Sequence, residues 1–586
     1  MTKPVVFTFS GASKPVAAKV AEATGGQAMH GDAEAIRKAF AEKRPIIGVC
    51  AAGILIRILG SLTADKHEEP PVIAISADGQ SVVPLLGGHH GANELARKIA
   101  GKLGGFAAIT TASEGRFTRP LDDPPQGYRL ADPNAARPAM AALLAGAGIR
   151  LSGHAPWLAE AGYPLDEDNG AVVVAVTEYE AAGEGLVYRP LTLVAGIGCE
   201  RGTDPDEVIG LVEATLAEAS LSPRSLAAIA SIDVKADEPA LHVAAQHFGV
   251  PLRLFTGAEL AEETPRLANP SPIVLAEVGT PGVAEAAALK AGELLVEKRK
   301  SRRATCAIGK SPQPLSVEDF GRAPGVLHIV GIGPGEAPQR TASAVAALQS
   351  ATDWVGYGLY IDLVADLGAN QTEHRYGLGD EEPRVRHALE LAATGREVAL
   401  VCSGDAQIYA MAALVFELLD ATGERAISAA AGRVSVFSHP GISALQMASA
   451  RVGALIGHDF CAISLSDLLT PREAILRRLD AAAKGDFVTA LYNPRSRRRT
   501  DLIEITKRLF LDHRPPDTPV IVARSLGRPE EEVLVTTLQD FAPDSIDMLT
   551  VVMIGASTSR AFMRGDGRKV AYTPRGYENK TTREAS

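Results

Sequence analysis

Five cysteines in 586 residues are few, and Cys50, Cys199, Cys306, Cys402 and Cys461 fall with no paired spacing. Disulfide frameworks, zinc sites and iron–sulfur clusters rest on such pairing, so no metal is expected and a reducing, cytoplasmic setting is. A surplus of positive charge is missing as well. The net charge of −11 argues against a general binder of nucleic acid or of membrane surfaces. Nor is there an unbroken apolar stretch of spanning length: the most apolar window, Pro45–Leu62, is interrupted by Arg57 and several glycines. The amino-terminal MTKPVVFTFSGASKP turns from a short β-like run into a Gly/Ser turn, without a long signal-type core.

What is present has an ordinary globular composition, 46% hydrophobic and 22% charged. The length allows roughly two to four domains. Short β-like runs alternate with helical patterns from the start: Val5–Phe9, Pro15–Thr24, Ile46–Cys50, an apolar helix through Leu62, Val72–Ser76, Val82–Leu86 and the helix Ala92–Leu103. That alternation predicts an open α/β sheet. Pro120–Pro138 reads as a loop, Met140–Leu151 as an alanine-rich helix and Ala171–Thr177 as a strand. A second α/β module opens at Leu191–Ile197, continues through the helix Pro205–Ala219, and predicts strands at Ala227–Ile232, Leu252–Phe255 and Ile273–Ala276. The basic run Glu297–Arg303 reads as a solvated edge or domain border, given the acidic whole. Gly309–Pro324, with Pro312, Pro314 and Pro324, reads as a linker.

The densest signal is VLHIVGIGPG at Val326–Gly335: a β-branched run entering a glycine turn whose backbone lies bare to a ligand. A dinucleotide fingerprint is not what it spells. That fingerprint needs a third glycine opening a helix and an acidic residue after the second strand. Here Pro334 removes a donor inside the turn, and Asp353 sits ahead of the next apolar run, not at its tip. Gly-Ile-Gly at 196–198 echoes 331–333, and the shifted flanks make this a repeated strand–turn solution without an internal repeat.

GIGPGEAPQRT, DWVGYGLYIDL, LVCSGDAQIYAMAAL, HPGISALQMASARVGALIGHDFCAISLSDLLTP, ALYNPRSRRRT and TPRGY together resemble precorrin-3B C17-methyltransferase. That family belongs to the tetrapyrrole methylases, which use S-adenosylmethionine, and the resemblance covers residues 325–577. It implies two α/β lobes with the methyl donor in the cleft between them. By the resemblance, Gly333, Pro334 and Gly335, the Ser403-Gly404-Asp405 loop and Ile408, then Ser443 and Ala444, and Leu491, Tyr492 and Asn493 line the donor. Methyl transfer consumes a positive charge, so alignment and exclusion of water matter more there than charged groups. The carboxylate-rimmed tetrapyrrole calls for arginines: Arg472, Arg495, Arg497 and Arg498 are the candidates, with Arg477 and Arg499 beside them. His439 and Asp467 are the candidate acid–base groups for the ring contraction that accompanies C17 methylation. Homodimers, common among related methylases, are expected.

The amino-terminal half resembles the cobalt-precorrin-5A hydrolase (CbiG-type) family through GVCAAGILIRIL, LLGGHHGANELARKIA, VAGIGCERGTDPDEV, ASIDVKADEPALHVAAQHFGVPL and EVGTPGVAEAAAL. The chemistry this implies is lactone opening with loss of a two-carbon fragment, with His89 and His90 as candidate catalytic groups. Asn93, Glu200, Arg201, Asp233, Lys235, Glu277 and Thr280 are further polar groups at loop positions; Asn93 and Asp206 read more naturally as helix caps. A non-catalytic module that holds a corrinoid intermediate is the alternative for this half. For the whole, a nucleotide-dependent oxidoreductase and an RNA methyltransferase of the same fold are the other classes. The expected architecture is multi-domain α/β: two small α/β modules, 1–135 and 191–308 with a connecting region 136–190, a linker 309–324, a two-lobed tetrapyrrole methylase domain 325–577 and a tail 578–586.

Overall fold

The structure, a computed structural model, describes residues 4–63, 69–110, 116–180, 185–368, 370–496 and 500–577. The chain forms two compact units. One holds Met1–Ala230, Ala240–Pro251 and Leu260–Phe320; the other holds Ser231–Pro239, Leu252–Glu259 and Gly321–Ser586.

The first unit begins with a six-stranded sheet in the order Gln27–His30, Val5–Thr8, Ile46–Val49, Val72–Ile75, Ser81–Leu86, Phe106–Ala107. Val5–Thr8, Ile46–Val49 and Val72–Ile75 are buried along their whole length, as strands covered by helices on both faces must be. The stretch expected to connect the two modules, 136–190, joins Tyr128–Leu130 from ahead of it in a four-stranded sheet ordered Tyr128–Leu130, Leu186–Pro190, Val172–Val176, Ile149–Ser152. The aromatic residues Phe117, Trp157, Tyr163 and Tyr188 pack with Leu121 in its core. The helix expected over Met140–Leu151 runs instead from Ala136 to Leu144, because Gly146 turns the chain at a φ of 103° and Ile149 starts a strand.

In the next module Leu226–Ile232, Leu193–Cys199, Ala304–Lys310 and Glu293–Lys300 lie side by side. Gly196 and Gly198 sit inside the strand Leu193–Cys199 and form no turn. A Cβ on Gly196 would stand 2.0 Å from the Ala284 carbonyl oxygen, so the glycine lets the helix Val283–Leu289 press its backbone on the sheet. The echo of 331–333 is therefore one of composition only. Ile273–Ala276, expected as a strand, lies in the helix Pro272–Val278; Pro272 is at its first position and Ile273 is 72% exposed. The basic run falls largely on the edge strand Glu293–Lys300, in keeping with a solvated edge.

The second unit is built on two lobes. The first has five parallel strands ordered Thr372–Tyr376, Asp353–Tyr357, Glu397–Cys402, Val326–Gly331, Ser435–His439. Asp353 opens its strand, fully buried between His374 and Arg396 at 2.9 Å each, so it is a structural anchor. The second lobe orders Phe460–Ser464, Val488–Tyr492, Thr550–Ile554, Pro519–Arg524, Glu532–Thr537; only the first pair is parallel. A small sheet of Gly453–Ala454, Lys569–Tyr572 and Arg560–Met563 flanks it. Among the described residues no single helix is long and apolar enough to cross a membrane.

Candidate active site

Parallel strands bring their carboxyl ends to one edge, and in open α/β sheets ligands gather there. Val326–Gly331, Glu397–Cys402 and Ser435–His439 end together, and three glycines meet where they do. A Cβ on Gly441 would lie 2.2 Å from the Gly404 oxygen and 2.6 Å from that of Gly331; one on Gly331 would lie 2.7 Å from the Gly404 oxygen. Only bare main chain fits. Gly333 and Gly404 then exchange both of their hydrogen bonds, at 3.1 and 2.7 Å, with positive φ at each. The result is a floor made of amides and carbonyls.

Side chains lock this floor. The Asp405 carboxylate accepts from the amides of Gly441 at 3.2 Å and Gln407 at 2.8 Å, and the Thr341 hydroxyl donates to the Pro440 carbonyl at 3.1 Å. The second lobe closes against it. The Tyr409 hydroxyl donates to the Ala462 carbonyl at 2.8 Å, and its ring lies 5.2 Å from that of Tyr492. Tyr492 accepts from the Leu445 amide at 3.1 Å; burial foremost raises its pKa. Asn493, at a φ of 49°, donates to the Ser464 hydroxyl at 3.1 Å. Ser443 caps the helix Ala444–Val452 in a capping box with Gln446. Gly527 packs on Pro334, and Arg451 bridges Glu336 of one lobe and Glu531 of the other.

The structure thus brings Gly333, Pro334, Gly335, Ser403, Gly404 and Asp405 onto one lobe edge, facing Ser443, Ala444, Tyr492 and Asn493. Ile408 continues the same loop, its amide bonded to the Asp405 carbonyl. Leu491 is different: its side chain is fully buried in the core of the second lobe.

His439 is half-buried at the end of its strand. Its Nε2 lies 3.0 Å from Nδ1 of His328, whose own Nε2 lies 3.0 Å from the Glu397 carboxylate. Burial, then the neighbouring imidazole, holds the His439 pKa below the usual histidine value; the His328 hydrogen bond holds Glu397 below the usual carboxylate range. Asp467 sits in the loop after Phe460–Ser464, 3.9 Å from Arg472. Arg472 also pairs with Asp501, and Arg495 is held by Asp544 and the Pro543 carbonyl, both at 2.7 Å. Both arginines are therefore already engaged within the protein. Arg497 and Arg498 lie outside the described residues. Arg477 and Arg478 are exposed on the helix Arg472–Lys484, and the Arg478 charge reaches Tyr409.

Residue type did not mark Tyr409, Thr341, His328, Glu397 or Arg478 as part of this constellation. Tyr409 carried one overlooked signal, its place inside the SGDAQIYAM segment.

In the first unit Gly88–His90 forms a single turn before the helix Ala92–Leu103, with His90 exposed; the His89 side chain lies outside what the structure describes. The cap of that helix is Gly91, not Asn93, and the cap of Pro205–Glu218 is Asp204, not Asp206. Glu200 is tied to the Arg303 guanidinium at 2.9 Å.

Three family models match the chain. They are Cobalamin synthesis G N-terminal over residues 34–114, Cobalamin synthesis G C-terminus over 193–309, and Tetrapyrrole (Corrin/Porphyrin) Methylases over 326–542. A probable cobalt-factor III C(17)-methyltransferase of Salmonella typhimurium is 41% identical over 252 residues, 43% of this chain and 99% of that protein. A precorrin-3B C(17)-methyltransferase of a Sinorhizobium species is 39% identical over 43% of this chain and 97% of that protein. The cobalt-factor III methyltransferase of Priestia megaterium is 41% identical over 44% of this chain, which spans about half of that relative's length, 46%. With a main-chain floor between two α/β lobes and relatives matched over nearly their whole length, the chain belongs to the C17-methyltransferase branch of the tetrapyrrole methylases, behind two modules that match the cobalamin synthesis G models.

Proposed function

We propose that the second unit methylates C17 of a precorrin-3B-type macrocycle, with or without cobalt, using S-adenosylmethionine, and contracts the ring in the same turnover. The observation that carries this reading is the glycine junction of Gly331, Gly404 and Gly441, a cradle that side chains would fill. It fits the donor: carbonyls and small residues face the site, and the one carboxylate among them, Asp405, is spent on holding loops. S-adenosylmethionine supplies a methyl group on a sulfonium whose charge is consumed in the transfer. The protein's part is to exclude water and to hold the two reactants in line, for which rigid main chain is well suited. His439 is the proton-handling group, kept neutral by burial and oriented through His328 and Glu397. The exposed Leu468 and Leu469 beside Asp467 offer an apolar rim to the macrocycle face. Arg477 and Arg478 meet its carboxylates.

For the first unit we propose a cobalt-precorrin-5A hydrolase activity, or the holding of the same intermediate; its two matched modules support either. Tethering two steps raises the local concentration of an unstable intermediate. Incubation of the full chain with S-adenosylmethionine and precorrin-3B or cobalt-factor III, followed by mass spectrometry, tests the methylase reading. A gain of one methyl group by one of them supports it; no gain by either, in a sample that binds S-adenosylhomocysteine, sinks it. An RNA methyltransferase would instead bind RNA with steep salt dependence.

A further inference from the structure

The loop after the strand Pro519–Arg524 meets the Pro334-Gly335 turn main chain to main chain. Gly335 stands at a φ of 145°, and a Cβ on it would lie 2.8 Å from the Gly527 oxygen and 3.5 Å from Cγ of Arg528. A Cβ on Gly527 would in turn lie 3.1 Å from Pro334. The stem of Arg528, carried by the second lobe, is thus laid against a turn of the first. Its loop is held in place. The Gly527 amide donates to the Glu531 carboxylate at 2.6 Å, the Arg528 amide to the Ser525 carbonyl at 3.1 Å, and the Glu531 amide to the Arg528 carbonyl at 3.0 Å.

The head of this side chain has nothing to bind. Its guanidinium has no hydrogen bond and no carboxylate within 4 Å among the described residues, and Glu531 is taken by Gly527 and Arg451. Nε of Arg528 is sealed from solvent, whereas Nη1 and Nη2 are not. Tyr360 lies in the short helix Gly358–Asp362, right after the strand Asp353–Tyr357, whose carboxyl end shares a sheet edge with the glycine junction. Its ring is set edge-on to Tyr357 at 5.2 Å, and its hydroxyl is open to solvent without a partner among the described residues. Burial raises the Tyr360 pKa and outweighs the pull of the Arg528 charge, which keeps the hydroxyl a donor at neutral pH. Arg384, 3% exposed, also acts on Tyr360; it is held on the Gly377 carbonyl at 2.8 Å and has no carboxylate within 4 Å among the described residues. Acids outnumber bases in this chain, at a net charge of −11, yet none answers these two arginines. Partly buried charge without a counter-ion is costly, and an anion from outside relieves it.

We infer that Arg528 and Tyr360 form a clamp for a carboxylate of a bound reactant, Nη1 and Nη2 taking its two oxygens as a fork and the Tyr360 hydroxyl donating a third bond. Arg384 adds its charge without touching the ligand. The assignment rests on the reading of this cleft as a methyl-transfer site and deepens it. Two reactants bring a carboxylate there: the amino-acid end of the methyl donor, and the acetate and propionate arms of the macrocycle.

Calorimetry on the full chain with S-adenosylhomocysteine and with 5′-methylthioadenosine, which lacks the carboxylate, reads the first source. The KM for precorrin-3B or cobalt-factor III reads the second. If the clamp holds the donor, Arg528→Met weakens S-adenosylhomocysteine about tenfold and leaves 5′-methylthioadenosine and the macrocycle KM unchanged. If it holds the macrocycle, both nucleoside affinities stay and KM rises about tenfold with kcat little changed. Tyr360→Phe is expected to move the same constant by a smaller factor. Arg528→Lys, which keeps the charge and loses the fork, is expected to fall between wild type and Arg528→Met. Equal loss of both nucleosides marks a distorted turn and overturns the clamp. Normal methyl transfer with neither constant moved overturns the clamp and leaves the methylase reading standing. No transfer to either macrocycle, with the S-adenosylhomocysteine loss still seen in Arg528→Met, removes that reading and keeps the clamp; no transfer without such a loss removes both.

Discussion

His328 holds His439 in one tautomer. Glu397, ionised because its pKa is depressed, accepts from the Nε2–H of His328 at 3.0 Å; the Nδ1 of His328 then has a lone pair and accepts from the Nε2–H of His439 at 3.0 Å. Nδ1 of His439 is left as the basic nitrogen.

This chain makes stability depend on pH in a definite direction. The folded pKa of His439 lies below its unfolded value, so its contribution is complete above the ordinary histidine range and is lost as the pH falls through it. Glu397, also depressed, contributes above the ordinary carboxylate value and loses its share as the pH drops toward the folded one. Urea unfolding between about pH 8 and pH 5 is expected to show stability falling on acidification, with a shallower fall in His439→Gln. An equal slope in the variant would remove His439 as the cause.

Gly441→Ala forces a Cβ to within 2.2 Å of the Gly404 oxygen. The backbone must shift, at a cost of about 1–3 kcal/mol. Calorimetry with S-adenosylhomocysteine is expected to show donor affinity lost in a folded protein. Retained affinity would mean that the junction is no part of the donor site.

Arg472 and Arg478 are expected to behave differently. Arg472 already pairs with Asp501 and Asp467, whereas Arg478 has no carboxylate partner among the described residues and its charge reaches Tyr409. Arg478→Met is expected to raise KM for the tetrapyrrole about tenfold with kcat little changed, and Arg472→Met to change KM less than about threefold. Steady-state kinetics with methyl transfer as the readout decides between them.

Asp353 is a stability residue. Burial raises its pKa, but hydrogen bonds from His374, Thr352 and Arg396 outweigh this and leave it lowered. Asp353→Asn removes the charge that Arg396 and His374 face, and with Arg396 half-exposed the loss is about 2 kcal/mol. Thermal unfolding is expected to show a lower Tm at unchanged donor affinity.

Much of the site was legible because it is local. Val326–Gly335 announces a strand and a bare turn through β-branched residues followed by glycines and a proline, and the structure places a strand and turn there. Contacts between strands are not local. His439 stood out from its motif, but its partners come from positions 328 and 397 and depend on the parallel register that sets Val330 opposite His439. Ile273–Ala276 misled for another reason: a short β-branched run does not distinguish strand from helix, and Pro272 at a helix start decided it.

On the proposed reading the bed beneath the donor consists of main-chain groups held by Gly331, Gly404 and Gly441, and substitutions elsewhere leave its chemistry alone. Variation in the loops around Asp467 and Asn493 can redirect which macrocycle is accepted while the methyl-delivering part stays as inherited. Diversification of substrate and preservation of reaction are thereby assigned to separate stretches of one chain.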